Sequence, residues 1–272
     1  MISFKVLKKL KSKSFHKKEV WINEAEFGFH HLEDYLYNLP QEANILEVGC
    51  GSGILLSMIA EVYPKLNCEG IEPFGDGFGS FKDLNSFVKS QGVNILNLPY
   101  QKLKPSKKYD FIYLVNVFEH LESWKDFLNK IDEWLNEGGK CIILCPNYGF
   151  PYESHFRIPI VINKKITYRI FKKYIHKFEK EDHSNGLWDS LNFVSKSKVL
   201  LYLKENDSLI VSDKKEILEQ MVLRLKTDVE FKKRQSFVGL IALIMLRLNL
   251  LKIFKFLPNL SPYMKLELIK VK

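Results

Sequence analysis

A short apolar run, Asn44-Ile-Leu-Glu-Val48, passes without a break into Gly49-Cys-Gly-Ser-Gly53 and then into Ile54-Leu-Leu-Ser-Met-Ile-Ala60. A buried strand that ends in three alternating glycines and opens a helix leaves few folds to choose from. Glycine lets the backbone turn through left-handed φ and approach a ligand where a Cβ would clash. The helix N-terminus that follows offers unpaired N–H groups and favours negative charge. The spacing is G-x-G-x-G, whereas a dinucleotide-binding turn needs G-x-G-x-x-G.

Around this unit the chain alternates. Strands are expected at 44–48, 67–71, 93–98, 109–115 and 140–145, separated by helices near 53–62, 80–90 and 123–136. Tyr63-Pro64 stops the first of these helices, while Asn67 and Pro73 bound the second strand and Gly92 and Pro99 the third. Phe111-Ile-Tyr-Leu-Val115 and Cys141-Ile-Ile-Leu-Cys145 are apolar on both faces, as central parallel strands are. After Pro146 the alternation stops. The tail supplies a strand at 208–212, a helix at 214–227, an apolar helix at 236–254 and a last strand at 265–271. The expected fold is α/β: a doubly wound, mostly parallel seven-stranded sheet with helices on both faces, and a helical cap inserted after strand five. A preceding helix at 20–39 ends at Pro40.

Charge is local. Residues 1–18 carry seven lysines and no acid, and residues 157–178 carry seven Lys and Arg and no acid. Together these blocks exceed the net charge of +9, so the rest of the chain is acidic overall. In the first block Ile2, Val6 and Leu10 stand at helical spacing. In the second, Ile166, Ile170, Tyr174 and Phe178, with Phe171 and Ile175, read as the apolar stripe of an amphipathic helix over 164–178. Lys172 and Lys173 then lie opposite and are candidates for docking an anionic substrate or a membrane surface. Nucleic acid is disfavoured, because the basic face carries no aromatic residues for base stacking.

The four cysteines, Cys50, Cys68, Cys141 and Cys145, show no CxxC pair and no histidine at zinc spacing, so reduced structural thiols and no metal are expected. The apolar stretch Phe237–Leu246 is too short to span a bilayer. It is expected as a buried helix, with interfacial contact through Arg247, Lys252 and Lys255 as the alternative. Without a secretory pattern, the expected location is cytoplasmic, with peripheral membrane attachment as the variant.

Further motifs narrow the class. Gly70-Ile-Glu-Pro73 places Glu72 at the end of the second strand, where a carboxylate can accept from both ribose hydroxyls. Tyr109-Asp-Phe-Ile-Tyr-Leu-Val-Asn-Val-Phe-Glu-His-Leu121 and Leu135-Asn-Glu-Gly-Gly-Lys-Cys-Ile-Ile-Leu-Cys-Pro-Asn147 follow in order. With Ile45–Gly53, these segments resemble class I S-adenosylmethionine-dependent methyltransferases over about residues 40–147. The resemblance implies S-adenosylmethionine as cofactor. It implies Glu47, Gly49 and Gly51 at the methionine end, with Cys50 and Gly53 in the same turn, and Glu72 on the ribose. It further implies Phe74, Tyr100 and Gln101 around the adenine, and Asn116 and Val117 on the sulfonium side. Leu98-Pro-Tyr-Gln101 departs from the pattern, since many relatives carry an acid there. The chain then divides into a basic arm and helix (1–40), a cofactor-binding half (41–147), a substrate or cap region (148–205) and a C-terminal completion of the sheet (206–272).

Pro146–Pro159 leaves the fifth strand at the edge where open α/β sheets bind ligands, and it resembles small-molecule and glycan- or lipid-precursor methyltransferases. His155 is a candidate general base there, with Tyr152 and Glu153 orienting it, and His120 is a second candidate. For both, the alternative is a neutral imidazole bonded to backbone. Asn116-Val-Phe-Glu119 stands where amide- and base-methylating enzymes carry an Asn-Pro-Pro-Tyr-type motif, which favours an oxygen acceptor on a small molecule. Competing readings are a catalytically silent scaffold docking on a membrane or polyanion and, behind it, a nucleic-acid methyltransferase.

Overall fold

The computed structural model describes residues 4–75, 77–257 and 260–271, with side chains for all of these but residues 80, 236, 237, 255 and 256. The central sheet holds β1 (Asn44–Val48), β2 (Asn67–Ile71), β3 (Ile95–Leu96), β4 (Tyr109–Val115), β5 (Leu135–Pro146), β6 (Leu209–Asp213) and β7 (Tyr263–Lys270). Their order is β3-β2-β1-β4-β5-β7-β6. The first five pair in parallel, and β7 runs antiparallel between β5 and β6. Every strand of the parallel half therefore delivers its carboxyl end to the same edge, with the reversal of strand order between β1 and β4.

Alternation along each strand feeds two cores. Leu46, Ile112, Leu114, Cys141 and Ile143 face one side, where helix α5 (Trp124–Trp134) contributes Phe127, Leu128 and Ile131. Ile45, Phe111, Tyr113 and Ile142 face the other, under α2 (Lys18–Tyr37), α3 (Ile54–Val62) and α4 (Lys82–Lys89). The basic arm is docked: α1 (Lys5–Lys11) buries Val6, Leu7 and Leu10, and its first N–H groups donate to the Glu61 carboxylate. Ile2 lies outside the described residues.

Boundaries shift where tertiary pairing overrides local pattern. β5 begins at Leu135 and absorbs the Gly138-Gly139 turn, and the β4–β5 register slips between Tyr109 and Phe111 to accommodate it. A short hairpin, Tyr152–Glu153 with Ile158–Pro159, follows β5 outside the sheet. α6 (Lys164–Glu181) is rotated from its expected setting. Ile170 is 57% and Tyr174 44% exposed, whereas Thr167 and Ile175 are buried. Phe171, Ile175 and Phe178 pack on Phe156, Leu187 and Trp188. After α7 (Leu187–Ser190), α8 (Lys196–Leu203) and α9 (Ile217–Thr227), the apolar helix starts and ends earlier than expected, as α10 (Val229–Arg247), capped by Asp228, whose carboxylate accepts from Phe231 N–H. It is not buried throughout, for Leu240, Ile241 and Ile244 are exposed. No helix among the described residues is long and apolar enough to cross a membrane.

Gly53 has φ +75°, and a Cβ on it would stand 2.6 Å from Ile95 Cδ1 and 3.1 Å from Val88 Cγ1. Left-handed backbone costs an alanine about 1–2 kcal/mol and overpacking about 1–3 kcal/mol. Gly53→Ala is expected to lose about 2–4 kcal/mol of stability on that basis, read from urea-denaturation midpoints.

Candidate active site

A cleft of about 1190 Å³ opens at the carboxyl ends of β1, β2, β4 and β5. Its floor is the glycine turn. Gly49 and Cys50 both donate to the carbonyl of Ile71, at 2.8 and 3.0 Å, which ties the end of β1 to the end of β2. Gly49 (φ +70°) sits so close to Val117 that a Cβ would fall 2.5 Å from its Cγ1. Glu72 clasps the turn: Oε2 accepts from Gly51 N–H and Oε1 from Phe74 N–H, each at 2.8 Å. Burial raises its carboxyl and these two hydrogen bonds partly offset that. Each oxygen keeps a lone pair for a further donor.

Glu47 is buried and accepts from the Tyr113 hydroxyl at 3.0 Å. Among the described residues no cation pairs with it. Burial, opposed by the Tyr113 hydrogen bond and aided by the charge of Glu72, pushes it up to about 8. Such a site suits a cationic ligand group, which would restore the carboxylate.

At the far side of the turn Tyr100 and Gln101 line the cleft, held by Tyr100 Oη to Ser123 O (3.0 Å) and Gln101 Nε2 to Glu122 Oε2 (3.2 Å). Phe74 does not line it. Its left-handed backbone (φ +50°) spends its N–H on Glu72, and Phe78 and Phe81, stacked at 6.1 Å, stand in the cleft wall in its place. Asn116, also left-handed (φ +56°), accepts from the Tyr263 hydroxyl and donates to Glu24 Oε2. Glu24 in turn pairs with Arg224 and Arg234 from the C-terminal helices. Burial would raise Glu24, but the two guanidiniums overcome it and leave the group low. None of Trp21, Glu24, Arg224, Arg234 or Tyr263 carries a local sequence signal, because each reaches the cleft only through long-range packing.

The remaining wall is the turn after β4 and the loop after β5. Glu153 is fully buried behind His155 and does not itself line the cleft. It accepts from His155 Nδ1 (2.7 Å), from the N–H groups of His155 and Phe156, and from Tyr148 Oη. Although burial works against both charges, the contact lowers Glu153 and raises His155. His120 Nδ1 lies 2.9 Å from Ser190 Oγ, and that hydroxyl donates to Leu187 O. Ser190 therefore accepts from His120, which leaves Nε2 as the unprotonated nitrogen. Burial holds His120 well below its ordinary range, with His155 and Lys164 adding to the effect. Tyr152, His120 and His155 line the cleft.

Between the two imidazoles lies Glu119, fully buried, with Oε1 3.8 Å from His120 Nε2 and 4.0 Å from His155 Nε2. Burial pushes it up to about 7. In the sequence Glu119 is marked only by its adjacency to His120. Lys172 and Lys173, by contrast, are exposed on α6 and do not line the cleft.

A family model described as a methyltransferase domain matches residues 22–193. An uncharacterized protein of Mycobacterium tuberculosis is 32% identical over 216 residues, 78% of this chain and 73% of that protein. Malonyl-[acyl-carrier protein] O-methyltransferase 2 of Ilyobacter polytropus is 27% identical over 52% of this chain and 55% of its own. The plantazolicin methyltransferase BpumL, solved with a monoazolic desmethyl analogue and S-adenosylhomocysteine, has a TM-score of 0.52 at 13% identity, covering 93% of this chain and 85% of that one. That likeness is one of fold. The chain belongs to the methyltransferase family and has the class I, Rossmann-like fold.

Glu119 sets a pH dependence. Its carboxyl is raised in the folded state from 4.5 to about 7, so the folded protein binds more protons over that interval and loses stability as pH rises through it. In chelated buffer, the urea midpoint of wild type relative to Glu119→Gln is expected to shift in favour of the glutamine variant between about pH 4.5 and 7 and to level off above.

Proposed function

We propose that the enzyme methylates an oxygen of a small-molecule, glycan or lipid-precursor acceptor, with His120 as general base. The observation that carries this reading is the state of His120: a neutral imidazole of the cleft wall, pinned through Nδ1 to Ser190, with Nε2 left as its unprotonated nitrogen beside Glu119. His155, held between Glu153 and Glu119 and raised above its ordinary range, is poorly suited to take a proton at neutral pH. It positions the acceptor instead, beside Tyr152, while Glu153 holds its ring.

On this reading Glu72 accepts from the ribose hydroxyls. Glu47, Gly49 and Gly51 surround the methionine end, with Cys50 and Gly53 shaping the turn. Tyr100, Gln101, Phe78 and Phe81 enclose the adenine, and Asn116 and Val117 border the sulfonium. When bound, S-adenosylmethionine supplies an activated methyl group on a sulfonium. The chain's own residues then align the acceptor oxygen in line with that methyl and exclude water. As the acceptor oxygen takes up that methyl group, its hydroxyl proton would pass to His120 Nε2.

Anionic acceptor groups would meet cations in the cleft and not the α6 lysines. Lys17, Arg224 and Arg234 line it but pair with acids, and among the described residues Arg157 lines it without an ion pair. Relatives of this chain are named for methyl transfer to oxygen and to nitrogen. They include an O-methyltransferase from a Brevibacillus brevis multienzyme (TM-score 0.51, 15% identity, 93% of this chain and 73% of that one) and an Eschscholzia californica N-methyltransferase (26% identity over 43% of this chain and 33% of its own).

The test is transfer from methyl-labelled S-adenosylmethionine into candidate acceptors, with the methylated atom located by NMR. Loss of a general base typically costs about 10²–10⁴ in rate. His120→Ala is expected to fall in that range while S-adenosylhomocysteine affinity, measured by calorimetry, stays unchanged. Glu72→Ala is expected to weaken that affinity about tenfold or more, since each hydrogen bond to a charged group contributes about 1.5–3 kcal/mol. Methylation of an amine, or full activity in His120→Ala, would overturn the oxygen reading.

A further inference from the structure

Three donor atoms, one each from Glu119, His120 and His155, lie within 4.8 Å of one another at the wall of the cleft. We infer that they form a site for one divalent transition-metal ion of the zinc or iron(II) kind.

The orientation of the imidazoles is the first argument. His120 Nδ1 is committed to the Ser190 hydroxyl and His155 Nδ1 to the Glu153 carboxylate, so both rings turn Nε2 toward Glu119. Metal-binding histidines are held in this way, with the other ring nitrogen donating to a carboxylate or another oxygen acceptor. Ser190 is fixed in its turn by donating to Leu187 O, and Glu153 by accepting from two backbone N–H groups.

The second argument is independent of the histidines. Glu119 has no exposed surface, and among the described residues neither carboxylate oxygen has a hydrogen-bond partner. An unsatisfied buried carboxylate is expensive and calls for a proton or a cation. Separations of 3.8 and 4.0 Å to the two Nε2 atoms are too long for hydrogen bonds. They nevertheless place a central point within about 0.5 Å of the usual zinc–nitrogen and zinc–oxygen distances of about 2.0–2.2 Å.

Two imidazoles and one carboxylate select a borderline cation over magnesium or calcium. Because His120 and His155 line the cleft while Glu119 lies behind them, the ion's remaining positions face the acceptor, as in catalytic sites with three protein ligands. This deepens the proposed oxygen transfer and rests on it. In the metal-loaded enzyme an acceptor hydroxyl coordinated at the open position loses its proton to solvent, and His120 serves as ligand in place of base.

The experiment uses the full chain, stripped with chelator and titrated with Zn²⁺ by calorimetry and with Co²⁺ by visible absorption. One ion per chain is expected. Glu119→Gln and His155→Ala should each weaken binding about a hundredfold or more, and Ser190→Ala, which removes only the support of His120, about tenfold. S-adenosylhomocysteine affinity, unchanged in each variant, reports that the fold persists. Absence of binding at submillimolar Zn²⁺ and Co²⁺ would overturn the site, as would binding that survives Glu119→Gln or is lost in His183→Ala, since His16 and His183 lie together elsewhere with ring centroids 5.9 Å apart. Chelator-resistant methyl transfer with no metal uptake would sink the metal site and leave the oxygen reading standing.

Discussion

The carboxylate of Glu72 joins two turns that would otherwise move independently. By accepting from Gly51 on one side and Phe74 on the other, it sets the end of β1 against the end of β2. The Ile71 carbonyl adds two hydrogen bonds from the same glycine turn. The rest of the cleft is measured from this frame. Val117 packs where a Cβ on Gly49 would be, so the turn after β4 can approach only because position 49 is glycine.

Elements far apart in the chain close the cleft over that floor. Glu24 on α2 receives Arg224 and Arg234 from the C-terminal helices, and Asn116 links Glu24 to Tyr263 on β7. Breaking a largely buried network of this kind leaves uncompensated charge, which costs far more than the intact network contributes. Its value is geometric: it determines how the first and last parts of the chain meet above the sheet edge. Of the exposed apolar residues of α10, Ile241 lies on the same wall.

At the acceptor end, two partly buried histidines of one cleft wall shift in opposite directions. His155 gains a carboxylate and is raised against the cost of burial, while burial lowers His120, with His155 and Lys164 adding to the effect. Glu119 between them is left without a hydrogen-bonding partner among the described residues. Separated values of this sort are how a single pocket assigns distinct proton-handling roles to chemically identical side chains.

The glycine turn, Glu72, and strands β1, β2 and β4 could be read from the sequence because each depends on residues adjacent in the chain: glycines that permit positive φ, and apolar runs buried on both faces. Their boundaries match the observed strands, including 44–48, 67–71 and 109–115. β5 began five residues early, because pairing with β4 outweighed the helical pattern and the Gly-Gly turn. Which face of α6 packs, whether Phe74 or Phe78 borders the cleft, and that Glu119 stands between His120 and His155 were decided by tertiary structure alone. A sequence determines what each residue can do locally, whereas burial and meeting distance depend on which surfaces the folded sheet brings together.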